Sequence, residues 1–179
     1  MKRKCAIILM LAFVVMIGLS SCGNDESNAT IVASSISEDF ELRLYVNSAT
    51  HYTTDAIEIW ATIQYTGDED GVKALWPGNP APIFLISDGE NFNIGGERFA
   101  ITASSFLERG VVYRFDYVKS ASWSANAPDA HFWRNFSAEP ELFLPAGVYT
   151  ISVIGPSGEF LGDNILPARA DLTITVLEP

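Results

Sequence analysis

The chain has 179 residues and carries 22 acidic against 11 basic side chains, a formal net charge of −11. A balance that acidic repels phosphate backbones and anionic headgroups, which sets nucleic acid aside as a partner and excludes attachment to lipid through basic residues. The length fits one domain of ~100–150 residues plus a short appendage, and a domain of that size buries roughly two-thirds of its unfolded surface without needing a staple.

Lys2, Arg3 and Lys4 open the chain, and Ala6 to Gly18 is uncharged and apolar. Small residues follow in Leu19-Ser20-Ser21-Cys22. A positive start, an apolar centre and a small-residue end are the three parts of an export signal. The centre is too short to cross ~30 Å of hydrocarbon as a helix of ~20 residues. A Cys directly after Leu-Ser-Ser resembles the lipobox of bacterial lipoproteins. The resemblance implies that residues 1–21 are a signal peptide to be removed and that the Cys22 sulfur carries a diacylglyceryl group, with palmitate-type chains. One acyl chain holds a protein marginally and two or three hold it firmly, at ~0.8 kcal/mol per buried methylene. The expected location is therefore the extracytoplasmic side of a cell membrane, lipid-anchored. Gly23, not Asp, follows the cysteine, so the inner-membrane retention signal of some Gram-negative lipoproteins is absent.

Loss of Lys2, Arg3 and Lys4 would take the formal charge from −11 to −14. Cys5 would leave with the signal, and Cys22 would be acylated. That excludes a disulfide, a thiol nucleophile and a cysteine metal site in the mature form. The stretch from Gly23 to Ala29 is polar and aperiodic, so residues 22–37 are expected to be the lipidated Cys and a flexible tether. Residues 38–179 are expected to form one domain.

Within that domain Phe40, Leu42, Leu44 and Val46 alternate with Glu41, Arg43 and Tyr45, the period-two mark of a strand with one buried face. A polar stretch, Asn47 to Asp55, ends it. Ile57, Ile59, Ala61, Ile63 and Tyr65 then alternate with Glu58, Trp60, Thr62 and Gln64, which puts Trp60 on the polar face. Gly67-Asp68-Glu69-Asp70-Gly71 reads as a solvated hairpin turn. Counting from Asp68, the fifth position of a calcium loop would be Val72, which supplies no side-chain oxygen. Val72 to Trp76 and Ile83 to Ile86 read as short strands, with turns at Pro77-Gly78-Asn79-Pro80 and Ser87-Asp88-Gly89-Glu90. Phe99 and Ile101 suggest a further strand. Leu107-Glu108-Arg109-Gly110 interrupts the pattern, and Val111, Tyr113, Phe115 and Tyr117 then alternate with Val112, Arg114, Asp116 and Val118.

Ser120 to Pro140 has no strand period. Long segments of that kind in compact domains are functional loops or hide a helix. Pro128 and Asp129 can open a short helix, on which Phe132, Trp133 and Phe136 share a face. The plain reading is a cap over one open end of the core. The functional reading is an aromatic platform for a glycan or a peptide, with Trp123, His131 and Trp133 as the candidate ligand-binding residues.

Pro145-Ala146-Gly147 leads into a strand in which Tyr149, Ile151 and Val153 alternate with Val148, Thr150 and Ser152. Gly155-Pro156-Ser157-Gly158 turns the chain, and Leu172, Ile174 and Val176 form the last strand. Seven or eight short strands joined by Gly-, Pro- and Asp-rich turns predict an all-β fold, an immunoglobulin-like antiparallel β-sandwich. Pro145-x-Gly147-x-Tyr149 resembles a tyrosine corner, in which the Tyr hydroxyl ties the strand start to nearby backbone. Two residues on, where antibody domains hold a cysteine, stands Ile151.

Leu107-Glu108-Arg109-Gly110-Val111-Val112-Tyr113-Arg114-Phe115 and Pro145-Ala146-Gly147-Val148-Tyr149-Thr150-Ile151 give the region from about Ile83 to Val176 a resemblance to BsuPI-type intracellular proteinase inhibitor domains. That resemblance implies the same sandwich and, as an alternative function, protease inhibition. The export signal departs from an intracellular inhibitor, and no reactive residue is carried over.

His51 and His131 are the only histidines and belong to no metal-spaced cluster. No nucleophile elbow, phosphate loop or dinucleotide fingerprint is present. Neither catalytic residues nor a metal nor a cofactor is expected. The expected role is a non-catalytic binding or accessory module, held at the membrane through Cys22, with a protein or glycan partner in the cell envelope. A structural subunit of an envelope complex is the other alternative.

Overall fold

The computed structural model describes residues 30–37, 39–68, 70–77, 82–95, 102–119, 126, 128–155, 158–160, 163–165 and 168–179. The expected export signal, Cys22, Phe99, Ile101 and Trp123 lie outside the described residues. In chain order the elements are β1 (Ile31–Ser37), β2 (Phe40–Val46), β3 (Thr50–Tyr52), β4 (Ile59–Tyr65), β5 (Gly71–Pro77), β6 (Ile83–Ser87), β7 (Asn93–Gly95), β8 (Thr102–Glu108), β9 (Val112–Asp116), α1 (Ala130–Ala138), β10 (Gly147–Ile154), β11 (Gly158–Phe160), β12 (Asp163–Ile165) and β13 (Arg169–Leu177).

Two sheets face each other. One has the order β1-β2-β4-β9, the other β3-β13-β10-β6-β7. Distributing β2, β4 and β9 to one layer and β6, β10 and β13 to the other is the immunoglobulin-like arrangement. The pairs are antiparallel except β3 with β13, which run parallel, so the second sheet is mixed. The strands number more than the seven or eight expected, because β8, the short pair β11–β12 and the edge strands β1, β3 and β7 add to those read from the sequence.

Alternation explains the packing. Phe40, Leu42, Leu44 and Val46 of β2, and Ile59, Ala61, Ile63 and Tyr65 of β4, are buried against Tyr149, Ile151 and Val153 of β10 and Ala170, Ile174 and Val176 of β13. Each fully buried aliphatic side chain of this kind contributes ~1.5–3 kcal/mol relative to exposure. Ile151, with no exposed surface, fills the position of the antibody cysteine.

Two expectations change. Pairing of β1 with β2 takes residues 31–37 into a sheet, where a tether was expected. Val32 and Ile36 face solvent while Ile31 and Ala33 pack on the core, so apolar residues on both faces hid the period. Asp68 and Asp70 after β4 are exposed, but their turn is not a hairpin: β4 pairs with β9, and β5 pairs with β8. Trp60 lies on the outer face of its sheet, stacked flat on Tyr45 at 5.2 Å and 3°, with the Arg114 guanidinium 4.7 Å from the ring centroid. It is partly exposed there, on the polar face where the alternation puts it, with its cross-strand neighbours packed against the ring.

The hairpin at Ser87 to Glu90 forms as its sequence requires. Asp88 Oδ1 accepts from the backbone N–H of Glu90 at 2.8 Å and of Phe92 at 3.0 Å. Those bonds, Glu90's first, hold the Asp88 carboxyl below its ordinary pKa. Gly89 sits at φ 82°, in the left-handed region where a side chain is disfavoured.

Candidate functional site

The connection from β9 to β10 carries α1 across one open end of the sandwich. Its inward positions are Ala130, Trp133 and Phe136, three residues apart, with Ala130 and Phe136 buried. Asp129 precedes the helix, but its carboxylate makes no cap bond. Its Oδ2 accepts from Trp133 Nε1 at 2.6 Å instead. Phe92, just before β7, is the hub on which the helix lands. Its ring stacks on Trp133 at 5.6 Å and meets Phe136 and Tyr149 edge-on at 5.9 and 5.5 Å. Such pairs add ~0.5–1.5 kcal/mol each beyond their area.

Lys119, just beyond β9, fixes the other end of α1. Its Nζ donates to the Phe136 carbonyl in the last turn and to the Glu141 carbonyl at 2.8 Å, and it lies 4.5 Å from the Phe136 ring centroid. The helix has no basic residue of its own in its last turn, so a cation from a neighbouring strand satisfies orphan carbonyls there. Burial holds the Lys119 ammonium below its ordinary pKa, partly opposed by Glu139.

Between α1 and the segment Phe143 to Pro145 runs an apolar cleft of about 420 Å³. Phe132, Phe136, Phe143, Leu144 and Pro145 form its walls, and Thr53, Lys119, His131, Asn135 and Glu139 supply the polar groups. His131 and Asn135 stand one turn apart, with the Asn135 amide nitrogen 3.4 Å from His131 Nδ1. A second, more polar cleft of about 350 Å³ lies on the far side of Lys119, bounded by Trp60, Arg114, Asp116, Tyr117 and Glu141 among others. The Tyr117 hydroxyl is buried with no hydrogen-bond partner among the described residues, and burial pushes its pKa up to about 12.

The two described candidates of the platform part company. His131 is exposed and lines the apolar cleft, while Trp133 is half-buried on Phe92 and holds the helix down. Trp123 lies outside the described residues, as does Cys22. Phe132, Phe143 and Lys119 line the cleft without having been among the ligand-binding candidates read from the sequence. Phe132 had a signal, since it shares its helix face with Phe136, on which it stacks at 5.9 Å and 21°. His51, the other histidine, is buried, with Nε2 3.0 Å from the Ser48 carbonyl oxygen.

Among the described residues no group of three or more His, Cys, Asp or Glu could hold a metal ion, and no helix is long and apolar enough to cross a membrane. Comparison of the chain with protein-family models, with curated proteins and with solved structures gives no match.

Proposed function

We propose that this chain is a lipid-anchored lipoprotein of the cell envelope, and that its sandwich is a non-catalytic binding or accessory domain. The observation that carries the binding half is the cleft beside α1: about 420 Å³, walled by phenylalanines and proline, with a few convergent polar groups. Ligand sites are concave, mostly apolar and within roughly 300–1,000 Å³. Support for the anchor is the order of a basic start, an apolar run and Leu19-Ser20-Ser21-Cys22. The partner is a protein or a glycan of the envelope that presents an apolar or aromatic group to Phe132 and Phe143, with His131 and Asn135 fixing its orientation.

Two measurements on the chain made in cells test this. Mass spectrometry of the N-terminal peptide should find acyl mass on Cys22, and Cys22→Ser should shift the protein from the membrane to the soluble fraction. A photo-crosslinking side chain at position 131 should give a discrete envelope adduct, lost when Phe132→Asp spoils the apolar wall. An unmodified Cys22 sulfur removes the anchor, and adducts indifferent to Phe132→Asp remove the cleft as the binding site.

A further inference from the structure

The sheet β1-β2-β4-β9 ends at β9, which has β4 on one side and no strand among the described residues on the other. The direction of its backbone groups follows from one bond. Tyr117 N–H donates to the Ile59 carbonyl at 2.9 Å, so Tyr117 faces β4, and by alternation so do Phe115 and Tyr113. Val112, Arg114 and Asp116, with Val118 beyond them, turn their N–H and C=O groups toward the open edge. Their side chains stand on the outer face, where Val112 is 57% and Val118 80% exposed.

The order of residues along this edge is Val112-Tyr113-Arg114-Phe115-Asp116-Tyr117-Val118, symmetric about Phe115 except that Arg114 is answered by the opposite charge of Asp116, with which it pairs at 2.7 Å in the same chain. A two-fold axis through Phe115 would place Arg114 opposite Asp116 of a second copy, and Asp116 opposite its Arg114. Val112 would face Val118, Tyr113 would face Tyr117, and Phe115 would face itself. A closed dimer requires this self-complementarity. The backbone agrees with it. Only even-numbered residues carry outward N–H and C=O groups, and this register pairs even with even. The next registers the backbone allows put Arg114 directly opposite Arg114, or Asp116 opposite Asp116, and like charges directly opposite destabilise. Charged side chains ordinarily keep an edge strand from pairing. Here their order rejects the adjacent registers and favours one.

We propose that β9 is a homodimerisation edge, at which two copies of this chain join antiparallel in the register Arg114 to Asp116. The two four-stranded sheets then become one continuous sheet. The inference is independent of the cleft beside α1 and of the lipid anchor.

Charge exchange tests it on the full chain in excess detergent, by sedimentation with a mass tag on one partner. Wild type should dimerise reversibly. Arg114→Asp alone and Asp116→Arg alone each set like charges opposite one another, and each should raise the dissociation constant roughly tenfold or more. An equimolar mixture of the two variants should recover dimer as the mixed species, because Asp at 114 then meets Arg at 116 and Asp116 meets Arg114. The double variant R114D/D116R should dimerise like wild type. Amide hydrogen exchange supplies the second readout: Val112, Arg114 and Asp116 should gain protection as concentration rises. A wild type monomeric at every concentration, a dimer insensitive to either single exchange, or a mixture no better paired than its components overturns the proposal.

Discussion

The Tyr149 hydroxyl donates to the Pro145 carbonyl at 2.9 Å, closing a corner at the start of β10. The ring that makes this bond is buried and also meets Phe92 edge-on at 5.5 Å, so one residue joins the connection from α1, the central strand and the aromatic hub. Gly147 lies between the two partners, and a Cβ there would come to 3.3 Å from the Tyr149 ring. Tyr149→Phe keeps the ring and removes the bond. Pro145 is exposed and its carbonyl can turn to water, so the expected loss is about 1 kcal/mol by urea denaturation, with the slope of the transition unchanged.

Tyr117 makes the opposite prediction. Its hydroxyl is buried with no partner among the described residues, so the folded chain forgoes hydration without a compensating bond there. Tyr117→Phe should be neutral or stabilising by up to ~1 kcal/mol, whereas removal of most buried hydroxyls costs stability. A loss above that size would mean that the hydroxyl has a partner.

Both phenols make the fold sensitive to alkali. Burial raises Tyr117 from 10.0 to about 12 and, with help from Asp88, raises Tyr149 above 10.0. A folded pKa above the unfolded one means that the native state keeps its protons longer. Stability is then fully present below pH ~10 and falls as pH climbs toward ~12. Chemical denaturation at a series of pH values should show this decline, and Tyr117→Phe should make it shallower.

Trp133 separates anchoring from recognition. Trp133→Ala removes the stack on Phe92 and the bond to Asp129, and the expected cost is ~2–4 kcal/mol. Trp133→Phe keeps most of the stack and should cost ~1 kcal/mol. His131 is exposed, so His131→Ala should leave the melting temperature within a degree or so while weakening the adduct formed by a crosslinking side chain placed at position 135 of the same cleft.

Gly95 and Gly89 both have positive φ, at 95° and 82°, but in different surroundings. A Cβ at Gly95 would stand 2.0 Å from the Phe84 carbonyl oxygen, while one at Gly89 meets nothing within 4 Å. Gly89→Ala should cost ~1 kcal/mol, from backbone conformation alone. Gly95→Ala should cost clearly more, because β7 must move off β6. Equal costs would show that the close approach carries no weight.

How far the sequence revealed this molecule differs between its parts. Strands with one wet face announced themselves, as β2, β4 and β10 did, because burial on one side forces a period of two. The corner at Tyr149 was visible because its geometry needs a tyrosine and a small residue at fixed spacing. The helix was visible from Pro128 and Asp129 and from the spacing of Phe132, Trp133 and Phe136. What stayed hidden is what depends on distant partners. Nothing near Lys119 in sequence says that its ammonium will end a helix 17 residues later, and no local period says that β5 will choose β8. For the same reason His131 and Trp133 looked alike as candidates. Only the position of Phe92 assigns one ring to the interior and leaves the other on the cleft.

After β2 the chain changes layers within Asn47 to Ala49 and continues as β3, which lies parallel to β13 with Thr50, His51 and Tyr52 beside Thr175, Val176 and Leu177. That arrangement sets the mechanical behaviour of the ends. When the chain is pulled by its N-terminal side against its C-terminus, β3 and β13 are drawn along their length in opposite directions. Their bonds then share the load in shear and do not open one by one. The edge pair β1–β2, being antiparallel, can be peeled rung by rung ahead of this clamp.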